Sequence, residues 1–173
     1  MFKTDLKLNG FKSSLVLIRY RISHWMYQHA GGTVYICDLF FRIIFWILGI
    51  NCQISYKCSI GRNIRLLHGA DGVIISKYAV IGDRVTIYHQ VTIGINEGTE
   101  RKYVSIGNDC FIGAGAKVIN CSVGDHCKIG ANAVAYKDIP NDTIVVSIQT
   151  MTTQKAEIRK DGENEKIEHK IKE

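Results

Sequence analysis

A six-residue period runs through the middle of this 173-residue chain, and no other feature narrows its fold as far. With an aliphatic side chain as the first position of each unit, the series reads Ile54, Ile60, Leu66, Ile75, Ile81, Ile87, Ile93, Ile106, Ile112, Val118, Val123, Ile129 and Ala135. Most steps are six; Leu66 to Ile75 is nine, Ile93 to Ile106 is thirteen and Val118 to Val123 is five. The fifth position is small or apolar (Cys58, Ile64, Ala79, Val85, Val91, Cys110, Ala116, Cys127 and Ala133), so two side chains per unit point into a narrow core. Glycine follows the first position at Gly61, Gly82, Gly94, Gly107, Gly113, Gly124 and Gly130, where a side chain would clash at a sharp corner. Short strands with regular turns, each unit burying its apolar side against the next, are the signature of a parallel β-helix. At three units per coil the reading is an all-β solenoid of roughly four coils over residues 51–148, with the extra residues leaving as loops. A helical segment over residues 1–50 precedes it and a charged tail over 149–173 follows.

The first fifty residues have another texture. Leu15, Ile18, Ile22, Trp25 and Met26 recur at helical spacing over residues 13–28, with Arg19 and Arg21 on or near the polar side. Gly31 and Gly32 break this helix, and residues 33–50 form a second, strongly apolar one that stops at Gly49. Asp38 and Arg42 interrupt a stretch already shorter than the ~20 residues of a membrane span. The second helix therefore packs against the solenoid or a neighbouring subunit. Peripheral contact of residues 34–50 with a membrane surface is the alternative.

The net charge of +6 is unevenly spread. Residues 1–29 hold five basic and one acidic residue, residues 51–150 ten against eight, and residues 151–173 six of each. A basic N-terminus suits phosphate-bearing ligands or an anionic surface. The chain has no aromatic-rich basic run of the kind that binds nucleic acid, and no nucleic-acid partner is expected. The six cysteines form no CxxC pair and follow no signal peptide; Cys58, Cys110 and Cys127, at the inward fifth position, read as core filling, and the setting as a reducing cytoplasm, extending to the inner face of the cell membrane if the second helix touches it.

The period also serves as a ruler. Units beginning at Leu66, Ile87, Ile112 and Ile129 share one face, and their third positions are His68, His89, Ala114 and Ala131. His68 and His89 then stack on adjacent coils about 4.8 Å apart. Beyond them lies a groove floored by Gly113, Ala114, Gly115 and Ala116 and by Gly130, Ala131, Asn132 and Ala133, open to an extended ligand. A zinc site would need a third ligand beside the two histidines, and His126 falls on another face, so no metal is expected. His24, within the first helix, is read as structural.

At these residues the chain resembles the hexapeptide-repeat acetyltransferases of the serine acetyltransferase type, including relatives that O-acetylate bacterial polysaccharides such as the colanic-acid acetyltransferases. The resemblance rests on residues 21–27, 68–75, 79–83, 87–94, 112–118 and 129–134, within a stretch from Leu15 to Val146. It implies a left-handed β-helix, a homotrimer, acetyl-CoA as co-substrate and an active site between subunits. His68 matches the general base that takes the acceptor hydroxyl's proton, work suited to an imidazole titrating near neutrality. His89, Gln53, Asp71, Lys102 and Tyr103 are candidates for supporting it or touching the acceptor. The loop over residues 95–105 matches an arm that frames the site. Ala114 and Ala131 match backbone contacts to the pantetheine arm, Gly113 and Ala116 are further candidates for binding the co-substrate, and Lys117 and Lys137 are candidates for the CoA phosphates.

Three positions depart from the serine acetyltransferase pattern. Gln53 stands where an aspartate orients the histidine, Leu67 stands where an acidic residue meets the amino group of serine, and Lys102-Tyr103 replaces an Arg-His pair. The large N-terminal helical domain is reduced to two short helices. With a cationic loop of Arg101, Lys102 and Tyr103, the acceptor expected is a sugar hydroxyl of a surface polysaccharide or its precursor. Serine O-acetylation for cysteine biosynthesis is the alternative, and a non-catalytic trimeric scaffold is the alternative of another class.

Overall fold

The computed structural model describes residues 2–147, so the charged tail and His169 lie outside the described residues. Three parallel sheets form the faces of a β-helix of about four coils. The first face stacks Gln53–Ile54, Ile74–Ile75, Thr92–Gly94, Lys117–Ile119 and Val134–Ala135. The second stacks Ser59–Ile60, Ala79–Ile81, Val104–Ile106 and Ser122–Val123, and the third Arg65–Leu66, Thr86–Ile87, Phe111–Ile112, Lys128–Ile129 and Ile144–Val145. Leu66 pairs with Ile87, Ile87 with Ile112 and Ile112 with Ile129, so the irregular steps do not disturb the register. First-position and fifth-position side chains fill the interior together, including Ile75, Ile87, Val91, Ile112, Ala116, Cys127 and Ile129. All six cysteines are free. Burial pushes the thiol pKa of Cys58 up to about 12 and that of Cys110 up to about 11, as befits core filling.

The glycines serve a purpose different from the corner geometry expected of them. A Cβ on Gly82 would lie 2.7 Å from the carbonyl oxygen of Gly107, and one on Gly113 would lie 2.6 Å from the nitrogen of Ala131. These glycines let successive coils approach. The left-handed backbone that turns the corners falls elsewhere: on Asn63, Arg84, Asp109, His126 and Asp142 between the second and third faces, and on Gly72, Gln90, Gly115 and Asn132 between the third and first. Gly94, whose nearest neighbour would be the Ser76 Cβ at 3.9 Å, is not confined in this way.

Helices α1 (Phe2–Leu8), α2 (Phe11–His29) and α3 (Val34–Ile47) precede the solenoid, with a 3₁₀ turn at Gly31–Thr33 between the last two. Leu15, Ile18 and Ile22 of α2 pack against the core as the apolar spacing indicates, but the most deeply buried side chains of the helix lie beside them. Val16, Leu17 and Tyr20 are buried together with Arg19 and Arg21, while Trp25 is 59% exposed. The reason is the open end of the β-helix, whose first coil has backbone groups with no coil beneath them. Arg19 donates to the Ile54 carbonyl at 3.1 Å, and Tyr20 Oη donates to the Cys58 carbonyl and accepts from the Ile60 N–H. Arg21 donates to the carbonyls of Ile60 and Gly61. Asp5 accepts from the Ile64 N–H, while Asn9 accepts from the Leu66 N–H and donates to the Ile64 carbonyl. Leaving such a buried group unpaired costs about 1–3 kcal/mol, which decides in favour of polar side chains at this contact. Arg21 is neutralised by Asp5 at 3.2 Å, and Arg19 pairs with Asp38 of α3.

Helix α3 packs Phe41 and Phe45 into the core and ends before Gly49, at φ +61. Its other side exposes Ile36, Leu39, Phe40, Ile43, Trp46 and Ile47. No helix among the described residues is long and apolar enough to cross a membrane.

Candidate active site

The nine-residue step is a local bulge. His68, Gly69 and Ala70 take left-handed φ values of 54, 72 and 59°, which L-residues other than glycine adopt at a cost. The chain regains the corner at Asp71 and Gly72: the Gly72 N–H donates to the Asn51 carbonyl of the coil below, and the Asp71 carbonyl accepts from the Gln90 N–H of the coil above. On the next coils the His89 carbonyl accepts from Gly115 and the Ala114 carbonyl from Asn132. The corner column is therefore Asp71, His89, Ala114 and Ala131. The ruler placed His68 in that column; the three extra residues swing it outward instead. The two imidazoles still meet, edge to face with centroids 4.8 Å apart, and the Tyr88 ring lies 5.7 Å from that of His68. His68 is exposed, whereas the Nδ1 of His89 is buried and has no hydrogen-bond partner.

The other candidates divide. Ala114 and Ala131 continue the column, Ala131 exposed and Ala114 half-buried, and their N–H groups donate to no backbone carbonyl among the described residues. That open strip can receive the amide-bearing pantetheine of acetyl-CoA. Gly113 is buried against Ala131, and Ala116 lies in the core. Lys117 turns back to donate to the Gln90 carbonyl at 2.8 Å, so it is committed to the solenoid, while Lys137 is exposed beside the Tyr136 ring. Asp71 serves the corner through its backbone, and no hydrogen bond joins its side chain, or that of Gln53, to His68 among the described residues. Gln53 instead lines a cleft of about 590 Å³ between α3 and the first coil, together with Arg19, Arg42 and Trp46. His24 is structural: its Nδ1 lies 2.8 Å from the Tyr56 carbonyl oxygen, and its ring stacks on Tyr20. No group of three or more metal-ligating side chains occurs among the described residues.

The long loop is shorter than its spacing implies, because the strand Val104–Ile106 absorbs its last residues. It leaves the corner between the first and second faces, whereas His68 occupies the corner between the third and first. One chain does not bring Lys102 and Tyr103 to His68. Nor is Arg101 a free cation: it binds Asp138 at 2.6 Å and the Ser122 hydroxyl at 2.6 Å, and lies over the Tyr103 ring. Asn120, absent from the sequence reading, anchors the loop through Asn96, Thr99 and Arg101. Its only sequence signal is an asparagine at a corner, a residue type that tolerates the left-handed region it occupies here.

A smaller cleft of about 360 Å³ does reach His68. Its walls are Leu66, Leu67, His68 and Gly69 on one side and Leu8 and residues 10–13, at the elbow between α1 and α2, on the other. The elbow carries no signal in the sequence, because it lies about fifty-five residues from His68 along the chain, outside the repeat.

Residues 103–136 match the family model for the bacterial transferase hexapeptide (six repeats). A serine acetyltransferase of Helicobacter pylori is 36% identical over 141 residues, covering 80% of this chain and 80% of that protein. One from Synechococcus elongatus is 31% identical over 154 residues, 88% of this chain and 60% of its own length. Among solved structures, serine acetyltransferase isoform 3 of Entamoeba histolytica, crystallised with cysteine, superposes with a TM-score of 0.68 at 28% identity over 95% of this chain and 55% of that one. The soybean serine acetyltransferase apoenzyme gives 0.69 at 28% identity over 80% and 56%. The chain thus spans little more than half the length of these solved relatives. The match carries the left-handed sense of the parallel β-helix, while the nearness to colanic-acid enzymes expected from the sequence finds no support in these relatives. Repeat, superposition and identity agree that the chain belongs to the hexapeptide-repeat transferases of the serine acetyltransferase type.

Proposed function

We propose that the protein is an acetyl-CoA-dependent O-acetyltransferase with His68 as general base. The observation that carries this reading is the projection of His68 from a left-handed bulge at the head of a column of small residues with open backbone amides. The N–H groups of Ala114 and Ala131 hold the pantetheine along the column, and acetyl-CoA supplies an acetyl group activated as a thioester. His68 accepts the proton of the acceptor hydroxyl while its oxygen bonds to the acetyl carbon. The carbon–sulfur bond then breaks, and the proton passes to the departing thiolate. His89 and Tyr88 fix the orientation of the His68 ring by packing.

The named relatives make L-serine the better-supported acceptor. A sugar hydroxyl is the second reading, favoured by one observation: Gln53 and Leu67 stand at the positions where the resemblance expects carboxylates, and no carboxylate lines the cleft beside His68. Release of free thiol from acetyl-CoA, measured with L-serine and with a panel of sugars, decides between them. Turnover on sugars alone would remove serine, and no turnover on either would favour a scaffold. His68→Ala is expected to lower the rate about 10²–10⁴-fold, the usual contribution of a general base. Equal rates for the variant and the wild type would overturn the assignment of His68.

A further inference from the structure

The cleft beside His68 has a chemical character of its own. Its floor is the bulge, with Leu67 and His68, and its opposite wall is the first turn of α2, with Leu8 and Phe11 adding apolar surface. Three features there favour negative charge. Lys12 is exposed on the cleft and forms no ion pair among the described residues, and an added Cβ on Gly69 would lie 3.4 Å from the Cβ of Lys12, so the lysine stem runs along the bulge. Ser13, only 2% exposed, lines the cleft, and its hydroxyl has no hydrogen-bond partner among the described residues. The nineteen-residue helix α2 has Gly10 as its N-cap, with no side-chain hydrogen bond there, and Gly10 to Ser13 line the cleft, so the positive end of the helix dipole lies at the same space.

Resting on the reading of His68 as the base, we infer that this cleft is the acceptor subsite and that Lys12, with Ser13 and the start of α2, holds an anionic group of the acceptor, either a carboxylate or a phosphate. The apolar wall of Leu8, Phe11 and Leu67 covers the carbon skeleton, and the acceptor hydroxyl is presented to His68 across the floor. Lys12 is a specificity-determining residue in this scheme; it fixes which acceptors are held and takes no part in the proton transfer. The same chemistry accommodates the carboxylate of an amino acid, the carboxylate of a sugar acid or the phosphate of a sugar phosphate.

The test uses the full chain and the variants Lys12→Ala and Lys12→Arg. Transfer is measured with L-serine against L-serinamide, glucuronate against glucose, and glucose 6-phosphate. Whichever anionic acceptor is used, Lys12→Ala is expected to raise its KM about tenfold or more, the loss expected of a hydrogen bond to a charged group, with kcat and the KM for acetyl-CoA nearly unchanged. Lys12→Arg should recover most of this, and the uncharged analogues should respond to neither variant. An unchanged acceptor KM, or an equal change for an uncharged analogue, overturns the subsite. Calorimetric titration of the same anions and of inorganic phosphate separates the two readings. Lys12-dependent binding without transfer leaves the subsite standing and removes the acetyltransferase assignment, whereas transfer indifferent to Lys12 does the reverse. If none of these anions is either bound or transferred, the subsite is overturned.

Discussion

At the scale of single residues the β-helix is governed by how closely its coils lie, and the glycines mark where that spacing is tightest. Gly82 faces the backbone of Gly107, which has no side chain to move aside. Gly82→Ala is therefore expected to destabilise the fold by roughly 1–3 kcal/mol, as overpacking does. Gly94→Ala, with its nearest neighbour at 3.9 Å, should cost much less. Urea unfolding of the two variants checks the contrast, and equal losses would return the glycines to a common corner role. The sequence shows both glycines alike, after an isoleucine in a hexapeptide, because contact between coils is not written in the spacing within one coil. His68 repeats the lesson. Its prominence at a break in the period was legible, but its outward displacement was not, since the break does not say which three residues are extra.

Among the elements, the helical cap and the arm are where tertiary demands override local pattern. The spacing of α2 marks Leu15, Ile18 and Ile22, which pack against the core, yet the deepest contact adds Val16, Leu17 and Tyr20 with two arginines, because the first coil requires hydrogen-bond partners. The arm is tied down by Asp138, which accepts from the Ser122 N–H and from Arg101, and these two partners hold its carboxyl below the usual carboxylate range. A carboxyl depressed in the fold stabilises wherever the pH lies above its unfolded value, about 3.9, and that contribution is lost as pH falls through the lower folded value. Protection of residues 95–103 in hydrogen exchange, corrected for intrinsic rates, should therefore hold from pH 8 to about 5 and weaken only below about 4. Asp138→Asn should lower protection throughout that range, and a pH-independent arm in the wild type would discount the tie.

For the whole molecule, Lys102 and Tyr103 stand at one corner of the β-helix and His68 at another, so an arm that frames the site must do so on a neighbouring copy. We expect sedimentation equilibrium to give three times the 19.4 kDa of the chain. A monomer with full transferase activity would show that the arm is not needed. The exposed apolar side of α3, from Ile36 to Ile47, distinguishes this chain from a solenoid with a closed polar surface. The solenoid, its coil count, the face shared by Leu66, Ile87, Ile112 and Ile129, and the prominence of His68 are all legible in the order of residues. They are legible because a fixed period maps directly onto stacked strands. The residues that cap the open end, the engagement of Lys117 and Arg101, and the elbow before α2 that walls the cleft beside His68 emerge in three dimensions alone. Each of these is a meeting of segments distant along the chain, set by unpaired backbone groups and charges that must be satisfied in three dimensions, and no local period records it.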